Sequence, residues 1–134
     1  MTAADEHRWA EARVTLRWLD ADQLGHVNHA LFLTYMAESR YRVDGGRMPA
    51  MTSLVTVRLE IDYLAELHVD AGWVTARSRV LKVGTSSLRT LDEVVRPDGV
   101  VVARAETVSV MTDRDTARSR PFTAEERELL ESLL

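Results

Sequence analysis

The chain has 134 residues, no cysteine, a net charge of −4 from 17 basic and 21 acidic residues, and 6% aromatic side chains. That length suits one domain spanning 1–134, able to bury about two-thirds of its unfolded surface without staples. The composition excludes disulfides, thiolate metal sites and a cysteine nucleophile, and its scattered charges and scarce aromatics argue against a nucleic-acid partner.

Apolar runs fall far short of the roughly 20 residues of a membrane span, and the N-terminal "MTAADEHRWAEAR" lacks the apolar stretch of a signal peptide. A cytoplasmic protein without a membrane partner is expected. Residues 12–19, "ARVTLRWL", put Val14, Leu16 and Trp18 on one side of a half-buried strand. The polar loop "DADQLGHVNHA" follows at 20–30. From Asn28, a candidate N-cap, "NHALFLTYMAESRYRVDGG" is apolar on nearly all sides and predicts a long buried helix stopping at Gly45-Gly46.

Residues 53–63 alternate Val55, Val57, Leu59, Ile61 and Tyr63 against polar partners. Two further strands, 73–83 and 86–96, flank Gly84, and the "RPDG" turn leads into a fifth, "VVVARAETVSVM". Thr123 caps a short C-terminal helix with acids in its first turn. Strand, buried helix and four strands joined by short turns predict an α+β architecture: one antiparallel five-stranded sheet wrapped around the long helix. A dimer is the economical cover for the remaining sheet face and edge.

The loop crowds two carboxylates, two imidazoles and an amide around one glycine. Read from spacing alone, Asp22 either caps a turn or presents a carboxylate beside a helix N-terminus, whose free N–H groups would polarise a carbonyl. Asp20 reads as a turn residue. Gly25 reads as a site of positive φ or of close ligand approach. His26, His29 and Asp22 have a weak metal-ligand spacing, and no metal or cofactor is expected. Glu38 is placed to pair with Arg42 at i+4.

"DADQLGHVNHALFLTYMAESR" resembles the signature of the 4-hydroxybenzoyl-CoA thioesterase-like (acyl-CoA thioesterase) family of hotdog-fold proteins. The likeness extends through "RLEIDYLAEL", "VLKVGTSSL" and "RPDGVVVARAETVSVMTDRDTARSRPF", over roughly residues 12–125. It implies a hotdog fold, homodimers that can pair into tetramers, and hydrolysis of acyl-CoA. Asp22 is then the catalytic carboxylate, as nucleophile or general base, with His29 in support. Gly25, His26 and Asn28 would meet the substrate, and Lys82, Ser86 and Ser87 near Gly84 would meet its phosphate or pantetheine end. An acyl carrier protein ester, or non-catalytic acyl-CoA binding on the same fold, are the competing expectations. In "DYLAEL" and at Trp73 the chain departs from the family pattern, which affects the shape of the loop before the third strand.

Overall fold

The computed structural model describes residues 9–134, so most of the N-terminal stretch read above for a targeting signal lies outside the described residues. Five strands form one antiparallel sheet: β1 (Ala10–Thr15), β2 (Leu54–Tyr63), β3 (Trp73–Val83), β4 (Ser87–Val95) and β5 (Val101–Met111). Their spatial order is β1-β3-β4-β5-β2. Helix α1 (Leu31–Arg40) lies against the inner face of β3, β4 and β1, and α2 (Ala124–Glu131) closes the far end. No helix among the described residues is long and apolar enough to cross a membrane.

Strand alternation sets the inner face. Val74, Ala76, Ser78 and Val80 of β3 meet Leu88, Thr90, Asp92 and Val94 of β4, all buried. Phe32, Tyr35 and Met36 of α1 pack on the Val74, Val94 and Ala103 end of the sheet. A second cluster, with Leu54, Leu88, Met111, Phe122 and Leu130, fills the other end beneath α2. At the N-terminus of α2 the expected cap is present: Thr123 Oγ1 accepts from Glu126 N at 3.1 Å while Glu126 accepts from Thr123 N at 2.9 Å.

Five sequence-based expectations are corrected. The helix has ten residues, and it stops at Arg40 rather than reaching the glycines. Arg40 turns inward, its Nη1 donating to buried Asp92 at 2.8 Å, and Asp92 also accepts from Ser78 and Thr107 at 2.6 Å each. Beyond it the buried Asp44 accepts from the Gly46 and Met48 N–H groups, and Gly45 and Gly46 take φ of 67° and 77°. Nor is α1 wrapped on all sides, since Leu33, Thr34 and Glu38 are exposed; Glu38 accepts from Arg42 at 3.5 Å, as expected.

Trp18 leaves the face it was assigned. A 3-10 turn at Trp18–Asp20 ends β1, so Leu16 stays buried while Trp18 is 82% exposed and Asp20 points inward. The alternation in β2 is broken by a bulge between Thr56 and Arg58. Leu54 faces inward before it and Leu59 and Ile61 after it, leaving Val55 and Val57 outside the core. The last correction is topological: β2 pairs with β5, not with β3. Its nine-residue link to β3, 64–72, is not a tight turn but a crossover containing the 3-10 turn Val69–Ala71. That crossover builds one wall of the site.

Candidate functional site

The polar loop folds into a small hairpin. Ala21 bridges Val27, Asp22 N donates to His26 O at 2.7 Å, and Gly25 N donates to Asp22 O at 3.1 Å. This is a three-residue turn whose last position must be left-handed, and Gly25 fills it with φ 78°. Asp22 Oδ1 accepts from Leu24 N at 2.8 Å and from His26 N at 3.1 Å. The side chain thus caps the turn and remains solvent-exposed.

Two residues earlier the other carboxylate is 2% exposed. Asp20 accepts from Tyr35 Oη at 2.7 Å and from the backbone N and Nε of Arg17, both at 3.1 Å. Burial pushes its carboxyl up, but the hydrogen bonds from Tyr35 and Arg17 outweigh it and hold the group below its ordinary value. Burial, then the Asp20 charge, pushes the Tyr35 phenol well above its usual range. The bond from Arg17 N is the turn role expected of Asp20, and the bond from Tyr35 adds a tie between this turn and α1 that the turn reading did not include.

Past the hairpin, Asn28 N donates to Asp20 O, and the Asn28 side chain accepts from Ala30 N at 3.0 Å. Leu31 N and Phe32 N donate back to Asn28 O and His29 O. Asn28 therefore caps a lead-in turn, and the residue flanking α1 is Ala30. His29 lies in that turn rather than in the helix. Its N–H has no acceptor among the described residues, which leaves one open donor at the positive end of α1.

The crossover meets the hairpin through Val27 N to Leu67 O at 2.8 Å and Val69 N to Gly25 O at 3.1 Å. Between the two segments and the start of α1 opens a cleft of about 300 Å³, lined by His26, His29, Phe32, Tyr63, Glu66 and neighbouring backbone. Tyr63 tilts over the His29 ring, centroids 4.5 Å apart, and its hydroxyl donates to His29 O at 3.1 Å. The His26 and His68 rings meet edge to face at 4.3 Å. A larger recess of about 620 Å³ between 47–50 and α2 holds no histidine.

The structure thus brings together His26 and His29 in one cleft, whose lining does not include Gly25 or Asn28. Asp22 lies on the adjoining turn but is not part of the cleft wall. Lys82, Ser86 and Ser87 lie at the β3–β4 corner, where Phe122 N and Arg127 reach Thr85 O and Gly84 O. From Thr75 to Val83 the sheet spans about 26 Å, so within one chain this corner is at the opposite end from the cleft. The neighbouring cations Arg77 and Arg89 are engaged by Glu93 and Glu106. Sequence reasoning missed Tyr63, Glu66 and His68 as site residues. The Glu66-x-His68 spacing, which puts both side chains on one face of extended chain, was the available signal.

The sequence profile of the Thioesterase-like superfamily matches residues 16–130. Among solved structures, the chain is similar to a thioesterase from Thermus thermophilus complexed with coenzyme A and Zn. Identity to it is 32%, with 92% of each chain covered and a TM-score of 0.82. A predicted thioesterase from Bacillus stearothermophilus is 24% identical, covering 94% of this chain and 96% of its own, with a TM-score of 0.82. The DHNA-CoA thioesterase from Staphylococcus aureus is 15% identical, covering 93% and 90%, with a TM-score of 0.79. No curated protein matches. The arrangement of sheet and helix is the hotdog fold.

Proposed function

The chain belongs to the thioesterase-like superfamily and is a thioester hydrolase, and from that premise we propose that it cleaves acyl-CoA with Asp22 as the catalytic carboxylate. A thioester carbonyl needs a carboxylate near its carbon and a donor where the oxyanion develops. The observation that carries the reading is the hairpin–helix junction. One oxygen of Asp22 is fixed by two backbone N–H groups while the other is left for chemistry, and the chain then enters α1 with the His29 N–H open. The His29 amide receives the developing charge, and Asp22 attacks the carbonyl or deprotonates a water. His29's ring and Tyr63 position the acyl group. The coenzyme A held by the Thermus thioesterase supports CoA as the thiol.

The active unit is a homodimer in the same proposal. Strand β2 is a ten-residue sheet edge whose Val55 and Val57 are 51% and 60% exposed, a long apolar edge of the kind that chains cover. Two-fold antiparallel pairing through β2 would set the Tyr63 end of one chain near the Leu54 end of its copy. The partner's β3–β4 corner, with Lys82, Ser86 and Ser87, is then on the side of the cleft and can serve the CoA phosphates. Such dimers can pair again into tetramers. A cytoplasmic location fits a cysteine-free chain.

Substituting Asp22→Asn removes the charge but leaves an oxygen to accept both turn hydrogen bonds, so the hairpin survives. Thiol release from a panel of short, long and aromatic acyl-CoAs should fall about 10²–10⁴-fold. Undiminished turnover in the variant would remove Asp22 from the chemistry, and faster turnover of matched acyl-carrier substrates would replace CoA as the thiol. Light scattering should give a dimer or tetramer for the wild type and a monomer for Val57→Asp, whereas a monomeric wild type defeats the shared site.

A further inference from the structure

The two imidazoles and the carboxylate at the mouth of the cleft are arranged for a cation. His26 and His68 stand directly opposite each other across an antiparallel bridge. Glu66, two residues before His68, projects from the same side of that extended segment. One ligand atom from each of the three lies within 4.8 Å of the others. A single carboxylate oxygen, Glu66 Oε2, faces both ring nitrogens, 3.8 Å from His26 Nε2 and 3.8 Å from His68 Nε2.

Those distances suit a gap better than a contact. At 3.8 Å neither nitrogen is within hydrogen-bond reach of the oxygen, so the three donors converge without satisfying one another. Around a tetrahedral zinc, with bonds of about 2.0–2.2 Å, neighbouring donors sit about 3.3–3.5 Å apart. The two glutamate–histidine distances exceed that by a few tenths of an ångström, and no pair of donors is more than 4.8 Å apart. The backbone beneath is fixed by Val27 N to Leu67 O and Val69 N to Gly25 O on either side of the bridge.

We propose that His26, Glu66 and His68 form a zinc site with a fourth position open to solvent, tying the 21–27 hairpin to the 64–72 crossover. Two imidazoles and one carboxylate favour zinc over magnesium or calcium, which prefer all-oxygen shells. The site shares the cleft with the proposed acyl chemistry, but its three side chains are not the ones assigned to that chemistry, Asp22, His29 and Tyr63.

The test is zinc uptake by untagged protein, read by competition with a chromophoric chelator in the absence of substrate. The wild type should bind one Zn²⁺ per chain, and His68→Ala and Glu66→Gln should each weaken binding by more than about tenfold. Glu66→Gln keeps the shape of an exposed side chain, so it remains informative should His68→Ala disturb the crossover. Cobalt should give nitrogen-ligand visible bands in the wild type that vanish in His68→Ala, while His29→Ala should keep both uptake and bands. No uptake by the wild type, uptake unchanged in both ligand variants, or uptake lost in His29→Ala would each overturn the proposal.

Discussion

Asp20 and Asp22 are two residues apart in one loop, carry the same side chain and do opposite things. Asp20 is buried, with its oxygens taken by Tyr35 and Arg17. Asp22 is exposed and uses one oxygen to hold a turn. The difference comes from the backbone. The 3-10 turn at Trp18–Asp20 rotates Asp20 toward α1, while the left-handed Gly25 closes a hairpin that holds Asp22 outside. A carboxylate whose lone pairs are all engaged stabilises a fold, and one with an oxygen left over is available to a substrate.

The largest effect on that contrast comes from removing the buried charge. Asp20→Asn leaves Arg17 without its ion pair and swaps a strong acceptor for a weaker one. Hydrogen bonds to charged groups are worth about 1.5–3 kcal/mol, so denaturant unfolding should show a loss of about 2–3 kcal/mol, with the acyl-CoA chemistry of the surviving folded fraction little changed. Asp22→Asn should do the reverse, lowering turnover about 10²–10⁴-fold at nearly constant stability. If Asp20→Asn proves as stable as wild type, the contrast fails.

Acid sharpens the same point without a mutation. The Asp20 carboxyl sits below its ordinary value of 3.8 in the folded protein, so the unfolded chain takes up the proton first as pH falls. The stabilisation is complete above about pH 4 to 5 and is lost as pH drops through the folded value. Wild type and Asp20→Asn should therefore draw together in stability as pH falls from about 5 to below the folded value, measured by unfolding at fixed temperature across that range. A gap that stays constant down to that pH would mean the charge is not what Tyr35 and Arg17 hold.

Much of this was legible from local pattern. The period-2 runs located all five strands, and Thr123 with Glu126 announced the cap of α2, because both signals lie within a few neighbouring residues. What was hidden depends on chain distant in sequence. Nothing near Thr56 marks the bulge that puts Val57 outside, and nothing near Tyr63 says that β2 pairs with β5. The inward turn of Arg40 answers Asp92, fifty-two positions away, which is why the helix looked longer than it is. In the site, the turn role of Asp22 and the positive φ of Gly25 were readable from Asp-x-x-Gly. The meeting of His26 with His68 was not, since it needs the crossover that the strand order imposes.

The smallest effect tests the hairpin that keeps the two carboxylates apart. At Gly25 an added Cβ meets only His68 Nδ1 at 3.8 Å, an ordinary contact, so Gly25→Ala is not a packing defect. Its cost is the left-handed φ of 78°, about 1–2 kcal/mol for a side-chain-bearing residue. That strain falls on the turn holding Asp22 and not on the Asp20 contacts with Tyr35 and Arg17. Melting should therefore drop by a few degrees, about 4–8 °C per kcal/mol for small domains and less for larger ones. Hydrogen exchange should quicken at the Asp22 and His26 amides, whose bonds close the hairpin, and stay slow on β3 and β4. Uniform acceleration across the sheet would show that hairpin and core open as one unit, and the division between the two carboxylates would then be one of exposure alone.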